Sequence, residues 1–341
     1  MRVSSVRALK AELLGVSEEV TRDLVPATAF GAFAARRAAA RRTMEGIALG
    51  VTRHRKGDYR LAVRLQRIGP LVSAMTEEIR AKARNEVDVR EIGMLVKYAG
   101  PTSPGFYRQR RRPVRIGSSI GDVPPSGFVS AGTLGCFVVR RSAPYYIGLL
   151  TNNHVIAREN RNAVGAPVVQ PGTLDGGVLP QDEIAALGKV AKLKARAVNV
   201  IDAAVADMYE DVDFDPRTIG RLGNLRGVGD VFDLPMSATV HKVGRTTGQT
   251  SGRVTAFDID NVRVEYDMGV LRFDNQIEVE GAGNRAFSDS GDSGSIIVDD
   301  DLRVVGLLFA GGNVGGANGK GLTYANPIDS VLEKLRVDLE I

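Results

Sequence analysis

The 341-residue sequence predicts a mainly β protein preceded by a helical segment and a small α/β part, and three observations carry that expectation. Beyond residue 115, short β-rich runs (135–140, 146–150, 198–208, 238–243, 252–257, 295–298 and 304–309) are separated by Gly, Pro, Asn and Asp turns. That rhythm belongs to a sandwich or a barrel, where many short strands alternate with tight turns. Helical spacing is confined to the first 42 residues, to 71–83 and to 328–335 after Pro327. No apolar run approaches the ~18 residues that a membrane span needs, so no membrane partner is expected.

Taken in order, residues 3–42 have helical character, with Ser17-Glu18-Glu19 as a helix start and Pro26 tolerable only where a helix begins. This defines a basic helical segment over 1–43. Residues 46–51 and 59–65 are strand-like and joined through Lys56-Gly57-Asp58, which suits a hairpin turn. With the helical run at 71–83 and a strand-like run at 92–98, they make a small α/β domain over 44–100. Gly100-Pro101-Thr102-Ser103-Pro104-Gly105 and the arginines after it read as a linker over 101–115.

Charge divides at that linker. Residues 1–115 hold 24 Lys and Arg against 11 Asp and Glu, whereas residues 116–341 hold 21 against 29. Arg36, Arg37, Arg41 and Arg42 would share one helix face, and Arg110, Arg111 and Arg112 form a second cluster. Such a surface admits nucleic acid or acidic lipid, but no aromatic residues are interleaved to stack bases. A solvated helix face and a charged linker are the simpler reading, with nucleic-acid binding weak and salt-sensitive.

Cysteine and histidine are scarce. The single cysteine, Cys136, excludes an internal disulfide and a cysteine-based zinc site, and three histidines exclude a histidine-rich metal centre. The apolar stretch 29–40 is interrupted by arginines and lacks the layout of a secretory signal, so the expected compartment is the cytoplasm. Neither a metal nor a cofactor is expected. Asp211, Asp213 and Asp215 are read as an acidic loop rather than a calcium site.

The strongest chemical signal is Ser288-Asp289-Ser290-Gly291-Asp292-Ser293-Gly294-Ser295. In Gly-Asp-Ser-Gly the glycines permit a tight turn that brings two amides, those of Gly291 and Ser293, towards one point where an oxyanion could sit. A serine hydroxyl is a poor nucleophile alone, so the motif acquires meaning only with a base and an orienting acid. Gly148-Leu149-Leu150-Thr151-Asn152-Asn153-His154 ends an apolar strand on a histidine, and Asn199-Val200-Ile201-Asp202-Ala203 opens another on a carboxylate. The order His154, Asp202, Ser293 has intervals of 48 and 91 residues.

On these motifs the chain resembles the chymotrypsin-fold serine proteases, above all bacterial members of the streptogrisin and α-lytic type and uncharacterised bacterial trypsin-like peptidases. Gly244-Arg245-Thr246-Thr247-Gly248-Gln249-Thr250-Ser251-Gly252, the Ser293 motif, Gly306-Leu307 and Gly311-Gly312 follow the second barrel of those enzymes in order. The resemblance covers most of 116–341. It implies two packed six-stranded β-barrels, over about 116–215 and 230–326, a C-terminal helix at 327–337, and catalytic groups in the cleft between barrels. The 44–100 segment resembles a region that often precedes such catalytic domains.

The resemblance also implies roles, which follow the general serine-protease template. His154 takes the Ser293 proton and returns it to the leaving amine, a task suited to an imidazole of ordinary pKa near ~6.5. Asp202 orients the ring, the Gly291 and Ser293 amides form the oxyanion hole, and Asp292 and Gly294 fix the turn. The expected function is a serine endopeptidase acting on polypeptide substrates through an acyl-enzyme. A weakly active or inactive peptide-binding module, or an effector protease recruited through the basic N-terminal part, are the alternatives.

Three departures from the family qualify the details. Val155 stands where relatives place the disulfide partner of Cys136, which suits a reducing compartment. Phe309 occupies the position that often holds a serine bonded to the catalytic aspartate, leaving the support of Asp202 open. Phe287, not an acid, stands six residues before the nucleophile, so Phe287, Phe309, Ala310 and Gly311 are expected to wall a pocket for small or medium apolar side chains. Arg115-Ile116-Gly117 has the form of a zymogen cleavage site, but the expectation is an intact chain whose Asp292 is held by internal hydrogen bonds.

Overall fold

The computed structural model of the chain describes residues 1–19, 44–97, 105–124 and 128–341. The cluster of Arg36, Arg37, Arg41 and Arg42, the helical expectation for 20–42 and the linker residues 100–104 lie outside the described residues. The first helix spans Val3–Glu19, so Ser17 lies in its last turn instead of at a helix start. Its stripe of Val3, Val6, Leu9 and Leu13 has helical spacing and packs into the same core as the N-terminal strands.

Strands Ile47–Arg55 and Asp58–Leu65 form the expected hairpin, turning at Gly57, whose φ of +74° favours glycine. Helix Pro70–Lys82 then crosses over to Val87–Glu91, which pairs in parallel with Asp58–Leu65. This α/β segment is not set apart from the rest of the molecule. Ile47–Arg55 pairs with the long strand Gly248–Asp260, through Leu49 opposite Asp260 and Val51 opposite Phe257. Among the described residues of the strand-like run at 92–98, which end at 97, only Leu95–Val96 is a strand, and it pairs with Val262–Tyr266 and, at Gly311, with Arg303–Gly312.

The protein is mainly β, with the two-barrel architecture expected of a chymotrypsin-like fold. Val240–Gly244, Gly248–Asp260, Gln276–Gly281, Leu322–Pro327, Arg303–Gly312 and Ile296–Val298 pair in that order, and the last returns to the first, closing a six-stranded barrel. The other body is a curled half-barrel of eight strands, running from Val337–Leu339 through Cys136–Arg140, Ile147–Thr151, Ala204–Met208, Glu183–Val190, Pro167–Val169 and Ser119–Asp122 to Gly132–Thr133. This sheet has two strands more than the six expected and curls without closing. Helix Ile328–Leu335 buries Ile328, Val331, Leu332 and Leu335, the stripe its spacing predicts, and then delivers Val337–Leu339 onto the far body.

One core joins the two bodies. Leu134, Cys136, Leu150 and Val205 of the half-barrel share it with Ile296, Val298 and Leu307 of the closed barrel. The strand ends bearing the sequence motifs meet along that seam. Among the described residues, no helix is long and apolar enough to cross a membrane.

Candidate active site

His154 lies in a single helical turn, Asn153–Ile156, entered from the strand Ile147–Thr151. Two asparagines fix the turn: Asn152 donates from Nδ2 to the Asp202 carbonyl at 2.7 Å, and Asn153 donates to Asn160 Oδ1 at 2.8 Å and to the Ala191 carbonyl at 2.9 Å. Antiparallel pairing of Ala204 with Thr151 carries Asp202 back alongside His154. The Asp202 amide donates to Asn326 Oδ1 at 2.9 Å, which ties the carboxylate loop to the closed barrel.

Asp202 and His154 are in direct contact. Asp202 Oδ2 lies 2.5 Å from His154 Nδ1, and Oδ1 accepts the His154 backbone amide at 3.2 Å. A third donor comes from a residue the sequence did not single out: the Tyr266 hydroxyl donates to Asp202 Oδ2 at 2.5 Å. Burial opposes the charge on Asp202, but the neighbouring imidazole and the hydroxyl and amide donors outweigh it and hold the carboxyl below its usual range. Burial, reinforced by the Asp202 charge, pushes the Tyr266 phenol well above its ordinary value, so it stays a donor.

Ser293 stands on a turn that only glycine can frame. Gly291 and Gly294 have φ of +94° and +95°; a Cβ at Gly294 would lie 2.2 Å from the Thr133 carbonyl and from Thr151 Oγ1, and one at Gly291 would lie 2.3 Å from Arg245 Nη1. Thr133, another residue the sequence reading missed, clamps the turn from the half-barrel. Its amide donates to the Ser293 carbonyl at 2.8 Å and its hydroxyl to the Gly291 carbonyl at 2.9 Å. Beneath the turn, buried Arg245 makes a two-point ion pair with Asp175 at 2.5 and 2.7 Å.

Asp292 turns away from the seam into the closed barrel. Its Oδ1 accepts the amides of Thr246 and Thr247 at 2.8 and 3.2 Å, and its Oδ2 accepts the Thr247 hydroxyl at 2.6 Å and the Asp289 amide at 3.0 Å. Buried Lys242 adds an ion pair at 3.1 Å. The amides of Asp289, Ser290, Asp292, Gly294 and Ser295 all have acceptors. Among the described residues, those of Gly291 and Ser293 do not. Two unpaired amides on either side of Asp292 are what an oxyanion site requires.

The Ser293 hydroxyl and the imidazole do not form a hydrogen bond. Ser293 Oγ leans to the Phe309 carbonyl at 3.5 Å, and His154 Nε2 is buried with no partner among the described residues. Phe309 therefore contributes its backbone, while its ring packs on Phe273 at 4.8 Å in the core. The side chains of Phe287 and Ala310 are likewise in the core, at 1% and 0% exposure, and Gly311 is buried where it pairs with Val96, so the residues expected to wall a pocket pack inside the protein instead. Ser288, next to Phe287, bonds through its hydroxyl to Thr323 at 2.6 Å.

Several other residues have local roles. Cys136 is a buried strand residue whose thiol burial pushes up to about 12. His241 faces outward on its strand, with Ser251 Oγ at 2.8 Å from Nδ1 and Asp300 at 3.3 Å from Nε2. Asp215 caps a turn through the amides of Arg217 and Thr218. Arg110 pairs with Asp182, Arg111 stacks on Phe106, and Arg112 donates to Gln170, so this cluster is engaged with the protein itself.

No family model matches the chain. Over 206 residues it is 29% identical to Protein NARROW LEAF 1 of Oryza sativa subsp. japonica, an alignment that covers 53% of this chain and 34% of that protein. The chain thus spans about a third of the length of that curated relative. Among solved structures it is similar to Thermobifida fusca protease A, with 16% identity, 66% of this chain and 97% of that one covered, and a TM-score of 0.44. For Nocardiopsis protease the figures are 16%, 67%, 99% and 0.46, and for Cellulomonas bogoriensis chymotrypsin 18%, 67%, 98% and 0.44.

Proposed function

We propose that the chain is a serine endopeptidase in which Ser293 attacks the peptide carbonyl, His154 serves as general base and then general acid, and Asp202 orients the imidazole. The observation that carries this reading is the Asp202–His154 contact at 2.5 Å, on the same seam as a Ser293 turn with two unpaired amides. Asp202 accepts at Nδ1, so the ring presents Nε2 towards the seam as the proton acceptor. The developing oxyanion is received by the amides of Gly291 and Ser293, each such donor typically worth about 3 kcal/mol of barrier. No step calls for a cofactor.

A second reading has one specific support. Ser293 Oγ bonds to the Phe309 carbonyl and not to His154, an arrangement that suits a peptide-binding module that keeps the motif without turnover. Fluorophosphonate labelling separates the two. Endopeptidase activity requires covalent labelling of the native protein that is absent in Ser293→Ala and in His154→Ala, with hydrolysis reduced by roughly 10⁶-fold in either variant. Equal labelling of native protein and Ser293→Ala removes Ser293 from the chemistry, and peptide binding without labelling establishes the second reading.

A further inference from the structure

We propose that Tyr266 is a positioning residue for the reaction, holding Asp202 in the orientation that sets the His154 ring. The inference rests on the endopeptidase reading. Asp202 is fully buried, and its Oδ2 receives two donors, His154 Nδ1 and the Tyr266 hydroxyl, each at 2.5 Å. A carboxylate with a single partner at that oxygen could rotate about its Cβ–Cγ bond. The second donor, together with the His154 amide on Oδ1, fixes the plane of the group.

Position 266 is built for this. Val262–Tyr266 pairs with Gly269–Phe273 as a hairpin, and the Tyr266 ring stacks on Phe273 at 5.9 Å while presenting an edge-on contact to His154 at 5.9 Å and 78°. Phe273 in turn packs on Phe309, the residue whose carbonyl meets Ser293. The aromatic side chain at 309 has no hydroxyl to offer Asp202, and the hydroxyl arrives from the hairpin instead. The charged groups facing Tyr266 are Asp202 at its hydroxyl, Lys97 at 6.0 Å from the ring centroid, and Glu159, which is paired with Lys97.

Removing the donor has a signed consequence. Without the Tyr266 hydroxyl the Asp202 charge is less neutralised, so the protonated imidazole is favoured and the acid limb of the rate profile moves to higher pH. A hydrogen bond to a charged group in a buried site is worth about 10- to 100-fold in rate when it serves the transition state.

The test compares native protein, Tyr266→Phe, and a protein carrying 3-fluorotyrosine at position 266 alone, a shape-conserving change that makes the phenol a stronger donor. Tyr266→Phe is expected to lower kcat by about 10- to 100-fold with KM little changed and to move the acid limb upward. Fluorotyrosine keeps the fold if Tyr266→Phe does not, and moves the limb downward. Unchanged rate and pH profile in both overturns the proposal, as does a rate loss with no movement of either limb, which marks a packing role. Nuclear magnetic resonance titration of the His154 ring in the same proteins needs no activity: opposite shifts of its midpoint sustain the proposal even if Ser293 proves unreactive to the probe, and absent shifts overturn it.

Discussion

Asp292 Oδ2 lies 3.1 Å from Lys242 Nζ, and neither side chain reaches solvent. This pair anchors the Ser293 turn from below. Burial lowers the Lys242 pKa from its ordinary value, an effect the Asp292 charge partly offsets. Replacing Lys242 by Met would leave Asp292 charged, buried and dependent on four neutral donors, and breaking one partner of a buried pair typically costs about 3–5 kcal/mol. Lys242→Met should therefore lower the urea midpoint and abolish phosphonate labelling at Ser293. A native midpoint would mean that the four neutral donors alone satisfy Asp292.

The same partners bear on activation. A new amino group released at Ile116 would find both Asp292 oxygens already engaged, Ile116 is itself buried at 1% exposure, and Val114 is paired with Phe214. Arg115→Ala should consequently leave the chain uncut and its labelling undiminished. Loss of labelling together with loss of a new Ile116 terminus, followed by mass spectrometry, would establish cleavage activation instead.

Acid stability follows from Glu278. Burial raises its pKa, but the Arg64 guanidinium at 2.7 Å and the hydroxyls of Tyr324 and Thr255 outweigh burial and hold the carboxyl below its ordinary 4.5. A depressed carboxyl contributes stability that is present above the unfolded value and is lost as pH falls below it, because the unfolded chain then binds more protons. The melting temperature should fall between pH 5 and pH 3. Glu278→Gln should be less stable at pH 7, since it leaves buried Arg64 with Asp88 at 2.9 Å as its remaining carboxylate among the described residues, and should flatten that acid dependence. An equally steep fall in the variant would assign it to other carboxylates, Asp202 being the next such group.

What the sequence made legible were the strand-end residues that the proposed chemistry uses. His154, Asp202 and the Ser293 turn are each flagged by an apolar run or a glycine frame next to them, and local order sufficed to find them. Tyr266 and Thr133 carried no such flag. Tyr266 reaches Asp202 only because the hairpin 262–273 is laid along the seam, and a tyrosine in an apolar strand is indistinguishable from an ordinary core residue. The linker expected over 101–115 had the same origin: Pro and Gly mark a change of chain direction, whereas the pairing of Leu95–Val96 with Val262–Tyr266 depends on contacts distant in sequence. Composition likewise suggested a boundary where charge changes sign, although the sheet runs through it.

That pairing makes Lys97 a link between the N-terminal segment and both sides of the proposed site. Its amide donates to the Glu265 carbonyl at 3.4 Å, and its ammonium bridges Glu159, five residues beyond His154, and Asp267, the neighbour of Tyr266. Glu159 is 2% exposed at its side chain and also accepts the amides of Asp267 and Met268 at 3.0 and 2.9 Å. Lys97→Met keeps the stem and removes the charge, leaving the buried Glu159 carboxylate with Arg161 at 3.5 Å as its cation. A lost charge-assisted bond of this kind is worth about 1.5–3 kcal/mol. The urea midpoint should drop accordingly, and Ser293 labelling should slow, because the tie between the histidine turn and the Tyr266 hairpin is loosened. A variant with lowered stability and native labelling would confine Lys97 to holding the N-terminal segment in place, and one unchanged in both would mean that Arg161 and the amides of Asp267 and Met268 suffice for Glu159.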